Sequence, residues 1–265
     1  MKLILLPVVL AVVGLANGAG YNGPTNPAGL ELIKYYEGWY PNFYTDPVGI
    51  RTIGYGHACH VWDCSVPLNG RYSVPLTLAN GQNLLADDLV NGNYESCIRN
   101  YNTYTGLNAD QFSALVSFTF NLGCGSFQSS TLRTLLNAGN TLGASLEFRK
   151  WINAGGSPLL GLARRRESER VLFCQSGGCP TTCRGRVNAD TLNCRKDPNT
   201  SAFVVASYAN GATLDIFERV TGTVVNGNPN WFLVGPGYVS AVYVDITAGG
   251  GGWCASAFNE TSSDV

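Results

Sequence analysis

Residues 30–57, LELIKYYEGWYPNFYTDPVGIRTIGYGH, decide how this 265-residue chain begins to fold. Asn26 is a candidate N-cap and Pro27 stands at the first helical position, so a helix starts there. Leu30, Ile33 and Tyr36, or Leu32 and Tyr35, recur at helical spacing, and Gly38 supplies a left-handed stop. Glu37 therefore falls in the last turn, beside the aromatic residues Tyr36, Trp39 and Tyr40. Asp46-Pro47-Val48-Gly49 is turn chemistry between two short strands, because proline fixes one dihedral and glycine relaxes another. From Arg51 to Gly56 the residues alternate, which predicts that Thr52, Gly54 and Gly56 share one open face suited to an extended polymer.

Two carboxylates in contrasting settings suit glycoside hydrolysis. A carboxyl among aromatic rings is expected to stay protonated and act as an acid. One on a polar turn is expected to stay ionised, as base or electrostatic partner.

The spacing Glu37-x8-Asp46-x5-Thr52, followed by TIGYGH, resembles the catalytic signature of phage-type lysozymes, glycoside hydrolase family 24. Three later stretches resemble that family's later helices in the same order: QFSALVSFTFNLGCGSF (111–127), STLRTLLNAG (130–139) and RKWINAGGSPLLGLARRRESERVLF (149–173). The resemblance spans residues 26–173. It implies an α+β lysozyme-like domain, mostly helical with a small β-hairpin lobe. Glu37, Asp46 and Thr52 would be catalytic, with Gly54 and Tyr55 on the substrate. The reaction would break the β-1,4 bond between N-acetylmuramic acid and N-acetylglucosamine with inversion. It also implies that His57 pairs with Asp88 on the next helix, and that one of Arg164, Arg165 and Arg166 lies near Glu37. Acid–base chemistry of this kind needs no metal or organic cofactor.

The chain opens with Met1-Lys2, an apolar run at 3–15 and Ala16-Asn17-Gly18, which predicts a secretory signal peptide at 1–18. The run is too short to anchor a helix in a bilayer. Nine cysteines in an exported chain read as disulfides. Cys59 and Cys64 can close a small loop, and Cys97 and Cys124 are plausible partners. The odd number among Cys174, Cys179, Cys183, Cys194 and Cys254 leaves one unpaired. The competing zinc site of His57, Cys59, His60 and Cys64 has irregular spacing. Formal net charge is −1, with 11 basic and 11 acidic residues across 19–183. Nothing there favours nucleic acid or a membrane. A monomer is expected.

Helical patterns run over 77–101, 108–122, 129–138, 142–152 and 161–173, with Thr77, Asn108 and Ser129 or Ser130 as N-caps. The catalytic domain is thus expected at 19–173, followed by a Gly-, Thr- and Cys-rich linker at 174–183. From 184 to 254 the period becomes two, with Asn-Gly, Pro-Asn and Gly-Pro-Gly turns between short strands. The order ADTLNCR, NWFLV, GYV resembles a bacterial-type Src-homology-3-like barrel, which implies a peptidoglycan-targeting module. Trp231 and Tyr238 are its candidate ligand-binding aromatics, and 255–265 reads as a loose tail. Asn199 and Asn259 head glycosylation sequons. The expected protein is a secreted muramidase acting on bacterial peptidoglycan. A chitin-type glycosidase or a non-catalytic peptidoglycan-binding protein are the alternatives.

Overall fold

A computed structural model describes residues 20–46, 49–59, 64, 68, 70–179 and 183–248. The expected signal peptide, the tail, residues 180–182, the turn residues 47–48, His60, Cys254 and the Asn259 sequon lie outside them.

Helix α1 (Pro27–Glu37) forms as its ends require: Asn26 Oδ1 accepts from Gly29 N at 2.9 Å, and Gly38 closes it at φ 74. Tyr35 is 80% exposed and Ile33 fully buried, so the Leu30–Ile33–Tyr36 stripe faces inward. Strands β1 (Tyr40–Thr45), β2 (Arg51–Gly54) and β3 (His57–Ala58) form an antiparallel sheet in that order. The alternation expected through Gly56 ends at Gly54, because Gly54 and Gly56 both take positive φ (69 and 81) and turn the chain. Gly54 does not open a face to substrate: its Cβ direction meets Leu76 and Leu84, in the small core under the hairpin.

The expected helix at 77–101 is two helices, α2 (Leu78–Asn91) and α3 (Tyr94–Tyr101), broken where Asn93 takes the left-handed conformation at φ 64. Helix α4 (Ala109–Leu122) carries a capping box between Asn108 and Gln111. Its residues 111–119 are all buried, so it is the central strut of the helical core. Helices α5 (Cys124–Ser129), α6 (Thr131–Asn137, capped by Ser130) and α7 (Thr141–Glu147) wrap it. Phe118 packs edge-on against Phe148 (5.5 Å) and Trp151 (5.4 Å). A two-residue hairpin, β4 (Asn153–Ala154) and β5 (Ser157–Pro158), leads into α8 (Leu160–Cys174).

The C-terminal region is all-β: β6 (Cys183–Val187), β7 (Thr191–Arg195), β8 (Val204–Ala209), β9 (Thr213–Ile216), β10 (Glu218–Val225), β11 (Asn228–Leu233), β12 (Tyr238–Ser240) and β13 (Val244–Ala248). These strands form a five-stranded sheet, β10-β11-β12-β7-β8, and a three-stranded sheet, β13-β6-β9. Among the described residues the pairing does not close into the expected barrel. The chain changes sheet at Phe217, whose N–H donates to Leu233 O at 2.9 Å, and residues of both sheets share one core.

That core extends into the helical domain. Ile152 and Ala163 belong to it, Arg149 Nη2 donates to Tyr238 Oη at 3.2 Å, and the Arg170 guanidinium lies over the Phe217 ring at 5.1 Å. Residues 174–179 of the expected linker are packed as well: the Cys174–Cys179 disulfide closes a loop, and Gly178 O accepts from Gln111 Nε2 at 2.8 Å. The two domains are docked rather than tethered. Cys59–Cys64 and Cys97–Cys124 are also bonded, which takes both thiols from the zinc alternative. Cys183 is disulfide-bonded, and Cys194 is a free, buried thiol.

Candidate active site

Glu37 ends α1 where the chain turns into the hairpin, which sets its carboxylate between the helical domain and the small lobe. Arg165 Nη1 on α8 donates to Glu37 Oε1 at 2.6 Å. Its immediate partner is thus a guanidinium rather than a ring, and the side chain keeps 21% of its exposure. Gly56 lies against the second oxygen; a Cβ there would come within 2.9 Å of Glu37 Oε2.

Arg165 is one member of a buried charge network. Glu169 Oε1 accepts from Arg165 Nε (3.2 Å), Arg166 Nη2 (2.9 Å) and Ser117 Oγ (2.8 Å), and Arg166 Nε lies 2.8 Å from Glu169 Oε2. Arg166 Nη2 also donates to Asn121 Oδ1 at 3.0 Å. Burial pushes the Glu169 carboxyl above its ordinary range, against the pull of Arg166, Arg165 and Ser117. Burial likewise lowers Arg166, with Glu169 opposing. Of the three arginines singled out in the sequence, Arg165 is the one beside Glu37. The i, i+4 spacing of Arg165 and Glu169 was the readable signal; Ser117 and Asn121, inside an apolar helix, gave none.

On the hairpin, Asp46 is fixed by its own turn: Ile50 N donates to Asp46 Oδ1 at 2.7 Å, and Asp46 N to Ile50 O at 2.9 Å. Thr52, 3% exposed, donates its hydroxyl to Ile50 O at 3.1 Å, which leaves its lone pairs as acceptors. Tyr44, opposite Thr52 in the β1–β2 register, was not anticipated. It stacks on Tyr40 with ring centroids 4.1 Å apart. Its phenol is raised above its ordinary value, first by burial and then by Tyr40, Glu37 and Asp46. Tyr44 thus feels both carboxylates. His57 Nδ1 meets Asp88 Oδ1 at 2.7 Å, tying the hairpin to α2 as the resemblance implied.

The remaining expected binding residues have other employment. Tyr55 is buried against Trp39, with ring centroids 5.0 Å apart. Trp231 is 2% exposed and donates its indole N–H to Thr223 O at 2.8 Å, so it has no ring face for a sugar. Tyr238 lies beneath Arg149 at the domain junction. Packing claims all three rings: Tyr55 in the helical core, Trp231 among the β-strands and Tyr238 at the junction.

Comparison with known proteins places this geometry. The chain is 38% identical to the endolysin of Bacillus phage B103 over 55% of its own length and 52% of that protein, so it spans about half of that relative. It is 36% identical to the endolysin of Salmonella phage P22, covering 55% of this chain and 94% of that one. Among solved structures, the endolysin from Escherichia coli O157:H7 phage FAHEc1 superposes with a TM-score of 0.50 at 26% identity, covering 59% of this chain and 97% of that one. The phage lysozyme family matches residues 34–169, from the turn of α1 that bears Glu37 to the Glu169 that holds Arg165, and the chain belongs to that family.

Proposed function

We propose that the protein is a secreted lysozyme that hydrolyses the β-1,4 bond between N-acetylmuramic acid and N-acetylglucosamine in bacterial peptidoglycan. The observation that carries this reading is Glu37, held by Arg165 at 2.6 Å at the mouth of a hairpin that bears Asp46 and Thr52. Glu37 protonates the leaving oxygen. Asp46 and Thr52 hold and activate a water on the opposite face of the sugar, which gives inversion; that geometry needs carboxyls roughly 6.5–9.5 Å apart. Arg165 and Gly56 fix the orientation of the acid. The C-terminal β-domain, Src-homology-3-like in its sequence motif, serves as a wall-targeting module that raises the effective enzyme concentration at an insoluble substrate. The disulfides Cys59–Cys64, Cys97–Cys124 and Cys174–Cys179, with the bonded Cys183, support an exported protein.

Clearing of Gram-positive walls, with product analysis of the reducing ends, tests the assignment. Glu37→Gln should fold normally and lose about 10²–10⁴-fold in lysis rate, as removal of a general acid does. Near-normal lysis by a folded variant would sink it. The anomer formed first, read by nuclear magnetic resonance, reports the stereochemistry: a retained product would make Asp46 a nucleophile.

A further inference from the structure

Tyr36, Trp39 and Tyr40 flank Glu37 in the sequence, and the first two are used inside the protein. The Arg165 guanidinium lies over the Tyr36 ring, 5.5 Å from its centre, and the Tyr36 hydroxyl meets Ser168 Oγ at 2.8 Å. Trp39 packs on Tyr55, and its indole fills the space over Gly81, where a Cβ would collide with it. Tyr40 differs: at the start of β1 it remains 43% exposed.

The Tyr40 ring stacks on Tyr44 with centroids 4.1 Å apart and planes 32° from parallel. In a regular strand, residues four apart stand about 13 Å from each other. Here Tyr40 pairs with Gly54 and Tyr44 with Thr52, so four steps on β1 oppose two on β2, and this irregularity draws the two rings together. Gly38, at φ 74, lets the edge of Tyr40 approach: a Cβ there would lie 3.3 Å from Tyr40 Cε2. Tyr44 covers one face of Tyr40 and Gly38 one edge, which leaves the opposite face to solvent. The stack stands beside the hydrolytic groups, for Tyr44 is opposite Thr52 and feels the charge of Glu37 and Asp46.

We propose that Tyr40, backed by Tyr44, is a sugar platform that stacks on the apolar C–H face of one pyranose ring of the glycan strand. The proposal rests on the muramidase reading above and gives it a binding residue in place of Tyr55, Trp231 and Tyr238. Two stacked rings, one of them exposed beside a reactive site, mark a surface that a ligand covers. A pyranose offers a flat patch of C–H bonds to bury against the ring, while its rim hydroxyls stay free to hydrogen-bond elsewhere. The stack holds Tyr40 in place before the ligand arrives, so little side-chain freedom is lost on binding.

The test is calorimetric titration of the full chain carrying Glu37→Gln with a peptide-free tetrasaccharide of alternating N-acetylglucosamine and N-acetylmuramic acid. Saturable one-to-one binding is expected, weakened about tenfold by Tyr40→Ala and equally by Tyr40→Leu, which keeps apolar bulk without a ring. Tyr40→Trp should keep or tighten it. In turnover, Tyr40→Ala should raise KM about tenfold and leave kcat within about twofold, as loss of uniform binding does. Absence of saturable binding, unchanged affinity in Tyr40→Ala, or full affinity in Tyr40→Leu would overturn the proposal. If Tyr40→Ala unsettles the hairpin, the contrast between the Leu and Trp variants decides. A chitin tetrasaccharide presents the same C–H face and is expected to bind more weakly; tighter binding with the same dependence on Tyr40 would keep the platform and assign it to chitin. Clearing of walls separates the platform from the hydrolytic reading. A protein that clears walls but whose glycan affinity ignores Tyr40 refutes the platform and keeps the lysozyme; one that binds glycan through Tyr40 but clears no wall keeps the platform and refutes the lysozyme.

Discussion

The two sides of helix α8 use the same residue types for different ends. Toward the hairpin, Arg165, Arg166 and Glu169 are buried, and the chain of contacts ends on the Glu37 carboxylate. Toward the β-domain, Arg170 donates to both oxygens of Glu167 at 2.8 Å, and Gly235 of the Gly-Pro-Gly turn sits directly on that pair. A Cβ at Gly235 would collide with Glu167 and the Arg170 guanidinium. The inner cluster has exchanged water for mutual hydrogen bonds, so each member depends on the others. The outer pair keeps part of its exposure on the Glu167 side, so it is the weaker electrostatic element and works mainly as a platform for packing. The contrast shows how burial, not residue type, assigns a role within the run ARRRESER.

The inner side should break hardest. After Glu37→Gln, the largest expected effect is that of Glu169→Ala, which leaves Arg165 and Arg166 buried without their carboxylate. Chemical denaturation should show a loss of about 3–5 kcal/mol, and lysis should fall with it as Arg165 loses its anchor. A near-neutral stability change would mean that the guanidiniums find water, and that the two sides of α8 are alike.

Removal of the β-domain tests the outer side. A chain ending at Thr182 uncovers Ile152 and Ala163, and Ile152 alone should cost about 1.5–3 kcal/mol. Truncation should therefore lower the melting temperature of the catalytic domain as well as weaken lysis of intact walls. An unchanged melting temperature would show that the domains dock without mutual support. Gly235→Ala is the milder form of the same question. It must displace the Glu167–Arg170 pair, at about 1–3 kcal/mol, and should leave turnover per folded molecule on soluble muropeptides unaltered.

The smallest effect concerns Cys194 and Tyr208, neighbours in the β-domain. Both are raised above their ordinary values, first by burial, with Glu167 adding to the shift and Arg149 (for Cys194) or Arg170 (for Tyr208) opposing it. The folded state thus keeps protons that the unfolded chain releases near about pH 8.5 for a thiol and about pH 10 for a phenol. Because the folded state binds more protons there, stability falls as pH rises above about 8.5, and it is flat with respect to these groups below that. Urea titrations at pH 7 and pH 9.5 should show a decline of about 1 kcal/mol, and Cys194→Ala should remove the thiol's share.

Much of this was legible in the chain. Cys97 and Cys124 were plausible partners, and the ends of α1, the capping of α4 by Asn108, the hairpin with Asp46 at its turn and the short Cys59–Cys64 loop follow from local chemistry. So do the switch to strands after 183 and the pairing of His57 with Asp88 that the family resemblance implied. These features depend on neighbours within a few residues or on a motif already written into the spacing. The sequence alone also carried Glu37, Asp46 and Thr52 as the candidate catalytic set.

Other features were decided only when distant segments met. The break at Asn93 arises because one residue adopts a left-handed backbone that no periodicity marks. The aromatic residues Tyr55, Trp231 and Tyr238 were expected on ligand, and three-dimensional packing set them in the core or at the domain junction. Residues 174–179 are rich in linker residue types, yet a disulfide and a hydrogen bond to Gln111 fasten them to the helical domain. Which arginine of Arg164-Arg165-Arg166 reaches Glu37 depends on the rotation of α8 in the helical core, at a sequence separation of 128 from Glu37. Sequence periodicity fixes a helix and its faces; the partner of each face depends on how elements far apart in the chain exclude water together.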